Sequence, residues 1–163
     1  MRLSERLFGF LLAIVFAALL ALPVPSHAWV GLVVGVSDGD TISVLRGQRT
    51  EKVRLYGVDC PEKAQDFGPC AKRFTSDLVD GRIVDVQEVD RDRYGRIVAR
   101  VFSSGGKELS RELVGQGLAW VYERYCQDPS CDGWRELQQG ARAEGLGLWS
   151  KGGAVPPWEF RCR

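Results

Sequence analysis

The sequence predicts a single α+β domain, a small five-stranded β-barrel with about three α-helices, preceded by a secretory signal peptide. Three observations predict it. An uncharged apolar stretch opens the chain, short β-branched runs separated by turn residues follow it, and apolar residues recur at helical spacing between and after those runs.

The opening stretch reads as an address. Arg2 and Arg6 precede uncharged residues 7–22, and Pro23, Pro25 and Ser26-His27-Ala28 come next. This is the layout of a signal peptide cleaved after Ala28. The 16 apolar residues fall short of the roughly 20 that span a bilayer as a helix. Release is therefore expected, to the periplasm or the extracellular space, and membrane contact only where the leader stays uncleaved. The expected organisation is residues 1–28 as signal peptide, 29–150 as one domain, and 151–163 as a Gly- and Pro-rich tail lying on the surface without regular structure.

Val33-Val34-Gly35-Val36, Thr41-Ile42-Ser43-Val44-Leu45 and residues 50–56 read as three strands. Ser37-Asp38-Gly39 and Arg46-Gly47-Gln48 carry turn residues, so the strands form consecutive antiparallel hairpins. Counting in twos puts Arg54, Tyr56 and Val58 on one face, and Pro61 ends the third strand. Ala71, Phe74 and Leu78 mark a first helix that Gly81 stops. Residues 82–88 and 96–102 give two more strands, joined by the polar segment 89–95. Leu109, Leu113 and Val114 mark a second helix; Trp134, Leu137 and Ala141 mark a third, which fades at Gly145 and Gly147. Five short strands with helices at one junction and at the end fit a barrel of the OB type. The link from that scaffold to nucleic acid is analogy alone.

Composition narrows the chemistry. Beyond the leader, 22 basic residues less Arg2 and Arg6 leave 20, and 21 acidic residues less Glu5 leave 20. That balance argues against tight scaffold-like binding of nucleic acid and makes any phosphate attraction local. The chain's one histidine, His27, falls in the leader. Mechanisms that need imidazole as base, nucleophile or zinc ligand are thereby excluded. Five cysteines in an exported chain imply disulfides with one thiol left over. Cys126 and Cys131 enclose a short loop that a disulfide can staple, whereas partners for Cys60, Cys70 and Cys162 cannot be read.

Strand ends bring three acidic positions into view: Asp40, Asp59 and Glu62. Two carboxylates from neighbouring strands can hold a hard divalent cation through oxygen, with carbonyls and water completing the shell. Taken singly, Asp38-Gly39-Asp40-Thr41 is an ordinary turn. Arg54 alone is a strand arginine, and the Arg91-Asp92-Arg93 run is a charged loop.

Taken in order, these segments resemble the staphylococcal nuclease (thermonuclease) family over residues 30–150. The matching stretches are Asp38-Gly39-Asp40-Thr41, Val53-Arg54-Leu55, Val58-Asp59-Cys60-Pro61-Glu62, Phe67-Gly68-Pro69 and Asp92-Arg93-Tyr94-Gly95-Arg96. Gln116-Gly117-Leu118-Ala119 and Leu148-Trp149-Ser150 extend them. The resemblance implies an OB-fold nuclease that uses calcium (Ca2+) to cleave DNA and RNA and leaves a 3′-phosphate. It implies Asp40, Asp59 and the Cys60 backbone carbonyl as calcium ligands, and Glu62 as general base acting through a water. Arg54 and Arg96 would grip the scissile phosphate, and Arg93 and Tyr94 a terminal phosphate of the substrate.

The physical need is independent of the resemblance. A phosphodiester repels nucleophiles, and attack adds charge to its oxygens; planar guanidinium forks and a metal neutralise that charge where it develops. Lysine, a point charge, lacks the paired donors.

Two departures stand out. Cys60 stands where the family commonly has threonine, which keeps the carbonyl ligand but puts a thiol beside the site, and the loop after Glu62 is shorter and less basic, which with the balanced charge weakens expected substrate capture. The sequence implies a monomer with no stable protein partner. The competing reading is a catalytically silent OB module that binds another protein or single strands, with Tyr56, Tyr94, Tyr122 and Tyr125 stacking bases, although none of the five chemical positions is missing.

Overall fold

Alternate residues of the β-branched runs point inward and close a barrel. In the computed structural model, which describes residues 28–162, the strands are β1 (Ala28–Asp38), β2 (Thr41–Arg46), β3 (Arg49–Leu55), β5 (Ile83–Arg91) and β6 (Ile97–Ser103). They close in the order β1-β2-β3-β6-β5. Every pairing is antiparallel except β3 with β6, where Val53 stands beside Ile97 and Arg54 beside Val98. Val33, Ile42, Val44, Val53, Leu55, Val84, Val86, Ile97, Ala99 and Val101 fill the interior. Each large aliphatic side chain so buried contributes roughly 1.5–3 kcal/mol. The expected signal peptide lies outside the described residues.

Helix α1 (Gly68–Val79) follows the third barrel strand, α2 (Leu109–Gly115) the last, and α3 (Ser130–Ala143) lies beyond, trailed by a 3-10 turn at Gly147–Ser150. These are the three helices that the apolar spacings mark. The Cys126–Cys131 disulfide is present, with its Cα atoms 5.8 Å apart, and it closes the turn into α3. Cys60, Cys70 and Cys162 are free. Trp134 is buried, edge-on to Tyr56 at 6.3 Å between ring centroids.

Three expectations are corrected. The third strand does not continue through residue 58: it stops at Leu55, and Gly57 turns the chain at φ +70°. A Cβ at Gly57 would stand 2.7 Å from the Trp134 ring and 2.8 Å from Cys126 Sγ, so only glycine fits beneath that turn. The turn redirects residues 58 and 59 into a separate two-residue strand, β4 (Val58–Asp59), paired with β7 (Trp120–Val121). Arg54, Tyr56 and Val58 therefore do not share a strand face.

The segment between the last two barrel strands is not all loop, because β5 continues to Arg91. The C-terminal tail is likewise ordered. Pro156 and Pro157 start a fourth helix, α4 (Pro157–Phe160), where proline at the first helical positions sacrifices no hydrogen bond.

Candidate active site

The turn between β1 and β2 is built to present Asp40. A register shift between Val36 and Asp38 bends the end of β1, and the Asp38 carboxylate accepts the Asp40 N–H at 3.2 Å. Thr75 of α1 donates its hydroxyl to the Gly39 carbonyl at 2.6 Å. A Cβ on Gly39 would come within 2.7 Å of both Cys60 Sγ and Ala71 Cβ, so glycine lets the turn lie flat against α1. The Leu55 N–H donates to the Asp40 carbonyl at 2.8 Å, tying the turn to β3. Asp40 is thus fixed from two sides.

Asp59 arrives on β4, opposite Trp120. Both carboxylates are buried, Asp40 at 5% and Asp59 at 1% exposure. Arg54 projects from β3 between them. Its Nη2 donates to Asp59 Oδ1 at 2.7 Å, while its Nη1 lies 2.7 Å from Asp40 Oδ1. That second contact has ion-pair distance without hydrogen-bond alignment, and the buried Nη1 finds no acceptor among the described residues.

Electrostatics at this junction are unbalanced. Burial pushes the Asp40 carboxyl up to about 7; Arg54 and the Cys60 N–H pull against that, and Asp38 and Asp59 repel it further. The Cys60 N–H reaches Asp40 Oδ2 at 2.6 Å. Burial lowers the tendency of Arg54 to hold its proton, yet Asp40 and Asp59 outweigh that and keep the guanidinium charged. The Cys60 thiol is pushed well above its ordinary value, first by burial and then by Asp40, so it remains protonated beside the site.

Glu62 stands at the rim after Pro61, with its backbone N–H donating to Gln65 Oε1 at 3.2 Å. Its carboxylate meets a residue that the sequence reading passed over. Arg161, just beyond α4, donates from Nη1 to Glu62 Oε1 at 2.6 Å and from Nη2 to Asp59 Oδ2 at 2.8 Å. The hydrogen bonds it donates to Asp59 and, against the opposing effect of burial, to Glu62 raise the proton affinity of this guanidinium above its ordinary value. The partners are 102 and 99 residues apart in the chain, and no periodicity signals such a pairing. The only local hint was the Pro-Pro-Trp that starts a helix.

Asp40, Asp59, Glu62 and Arg54 are therefore joined in one constellation. Arg96 is held elsewhere: its Nε donates to Asp92 Oδ2 at 2.6 Å and its guanidinium lies 5.6 Å from the Tyr94 ring centroid. Arg93 covers the same ring at 4.9 Å and donates to the Tyr94 hydroxyl at 2.7 Å. Since Val98 stands beside Arg54 and Arg96 lies two residues earlier, the ladder carries Arg96 toward the face that bears Arg54. The two guanidinium groups share no partner.

The donor set suits a hard divalent cation. It offers oxygen alone, from two buried carboxylates bridged by one guanidinium, one of them destabilised in its charged form. Among the described residues, no three Asp, Glu, His or Cys side chains gather around one point. Backbone carbonyls and water would have to complete such a shell.

Residues 52–151 match the model of the family described as staphylococcal nuclease homologue. A protein of Escherichia coli named as an uncharacterized endonuclease is 43% identical over 133 residues, covering 82% of this chain and 85% of the relative. A Haemophilus influenzae protein of the same name is 39% identical over 130 residues, covering 79% and 71%. A protein of Shigella flexneri named micrococcal nuclease is 38% identical over 158 residues, covering 91% and 90%. With a family model spanning more than half its length and relatives 38–43% identical over most of both chains, the chain belongs to the staphylococcal nuclease family.

Proposed function

We propose that the chain is a calcium-dependent endonuclease that hydrolyses phosphodiester bonds of DNA and RNA, leaves a 3′-phosphate, and acts after export to the periplasm or beyond. Family membership supports the reaction class. The observation that supports the rest is Asp40 and Asp59 buried together with the Arg54 guanidinium 2.7 Å from each, an oxygen donor set for a hard cation beside a planar cation for phosphate.

Asp40, Asp59 and the Cys60 carbonyl would hold the ion. When bound, it supplies positive charge next to the phosphoryl oxygens as attack adds negative charge to them. Arg54 would donate to the phosphoryl oxygens as well. Asp92 occupies Nε of Arg96, which leaves the two Nη groups as a second fork for the phosphate. Glu62 orients a water and accepts its proton as the water attacks phosphorus. Rupture of the bond to the 5′-oxygen leaves the phosphate on the 3′ side. Arg93 and Tyr94 sit together at the β5–β6 turn, where a terminal phosphate would find a cation braced on a ring.

The test is digestion of single-stranded DNA, double-stranded DNA and RNA by the chain from Trp29 onward, with calcium and with chelator. Calcium-dependent cleavage is expected, slowed by about 10²–10⁴-fold in Glu62→Gln and strongly in Arg96→Ala. A protein that cuts none of the three with calcium, or variants that cut as fast as the parent, refutes the assignment.

A further inference from the structure

The C-terminal segment ends on the carboxylates that this reading assigns to the ion and to the base. Trp158 and Arg161 lie three residues apart, on one side of α4. They meet a matching pair below, because Asp59 and Trp120 are cross-strand partners of β4 and β7 and present their side chains to the same side. Trp158 packs edge-on to Trp120 at 5.8 Å and stacks on Tyr122 at 4.8 Å with 9° between planes. Arg161 falls on Asp59.

Further anchors fix the approach. Gln65, in the loop after Glu62, donates to the Val155 carbonyl at 2.5 Å, and Pro157 is buried. The aromatic contacts and the buried Pro157 hold the segment against the β4–β7 pair. Arg161 itself remains 44% exposed and can leave for water.

Resting on the nuclease reading, we infer that residues 155–161 form a strap whose Arg161 is an internal counter-ion, competing with the divalent cation for Asp59 and shielding Glu62. Its guanidinium holds Asp59 Oδ2 at 2.8 Å and Glu62 Oε1 at 2.6 Å. Each Asp59 oxygen already accepts from a guanidinium, Oδ1 from Arg54 and Oδ2 from Arg161, so a cation reaching the remaining lone pairs meets two positive charges at hydrogen-bond distance from the same carboxylate. Binding of the ion is therefore opposed by Arg161 until it lets go, and the strap loosens as the site loads.

Calcium titrations of the chain from Trp29 onward by calorimetry, read beside tryptophan fluorescence, separate the possibilities. Arg161→Ala removes the competing charge, and Trp158→Ala loosens the strap without altering any carboxylate or arginine of the sequence. Both are expected to bind calcium more tightly, by roughly five- to tenfold, the equivalent of one charge-assisted contact to a partly exposed guanidinium. Calcium is also expected to shift the emission of the parent, as Trp158 leaves Tyr122, and to shift that of Trp158→Ala far less.

A tighter Arg161→Ala with an unchanged Trp158→Ala reduces Arg161 to a local charge and overturns the strap. Weaker or equal binding in both overturns the competition and makes the segment a support of the site. Absence of calcium binding in the parent and in both variants overturns the metal reading on which the competition depends. Cleavage by all three that calcium does not affect does the same.

Discussion

Asp40→Asn is expected to stabilise the calcium-free protein while abolishing cleavage. Burial, Asp38 and Asp59 together push the Asp40 carboxyl from its ordinary 3.8 to about 7, in spite of Arg54. Three pK units correspond to about 4 kcal/mol between the protonated and charged forms. An amide supplies the neutral form permanently. It also places an NH2 against donors, since Oδ2 accepts from the Cys60 N–H and Oδ1 from the Thr41 hydroxyl. One mispaired donor removes about 1–2 kcal/mol, so the net gain expected is about 2–3 kcal/mol.

The sign with pH follows. A carboxyl whose value is raised by folding destabilises the protein increasingly as pH climbs from 3.8 toward 7, and by a constant amount above that. The advantage of the asparagine variant should therefore be full at pH 8.5 and should shrink toward pH 5, where the native Asp40 is already protonated. Urea unfolding followed by tryptophan fluorescence, in chelator at pH 5 and 8.5, measures it. Calcium should stabilise the parent and leave the variant unaffected. A variant that is less stable than the parent at pH 8.5, or whose advantage does not depend on pH, refutes the reasoning.

Arg54→Lys keeps a charge between Asp40 and Asp59 but replaces the two-pronged bridge with a point donor; kcat is expected to fall by roughly 10²-fold or more, measured by steady-state cleavage at saturating calcium. Gly39→Ala forces a methyl into Cys60 Sγ and Ala71, and it should lower the unfolding free energy by about 1–3 kcal/mol and weaken calcium binding, both measured by titration. Replacing Cys126 and Cys131 by alanine opens a loop with a sequence separation of 5; the loss expected is about 2 kcal/mol, at the low end for a disulfide, read as a lower urea midpoint with cleavage retained.

The barrel was legible because β-branched runs at residues 33–36, 41–45 and 50–56 are punctuated by the turn residues of 37–39 and 46–48. The two-residue pairing of β4 with β7 has no period to detect. Its position is set by Gly57 and by burial of Val58 and Val121, which are tertiary effects. The convergence of Asp40, Asp59, Glu62 and Arg54 followed from ordered motifs with family spacing, whereas the role of Arg161 depends on a contact between the two ends of the domain. Reading the tail as unstructured on its glycine and proline content missed that two prolines also start a helix.

The charge distribution explains why such a tail is useful. Asp40 and Asp59 are buried together with Asp38 near enough to repel Asp40, and Glu62 stands at the rim, joined to Asp59 through Arg161. Arg54 alone leaves that cluster strongly anionic, the condition that attracts a divalent ion and also weakens the fold in its absence. A second guanidinium on a weakly held segment offsets the repulsion while the site is empty and withdraws when stronger positive charge arrives. A rigid barrel residue in place of Arg161 would neutralise the cluster permanently and lower its affinity for the ion. A segment that can leave permits both a stable empty state and a loaded one. The counter-ion lies beyond residues 52–151 that match the family, and its own side chain is 44% exposed, so little packing around the guanidinium itself resists its release.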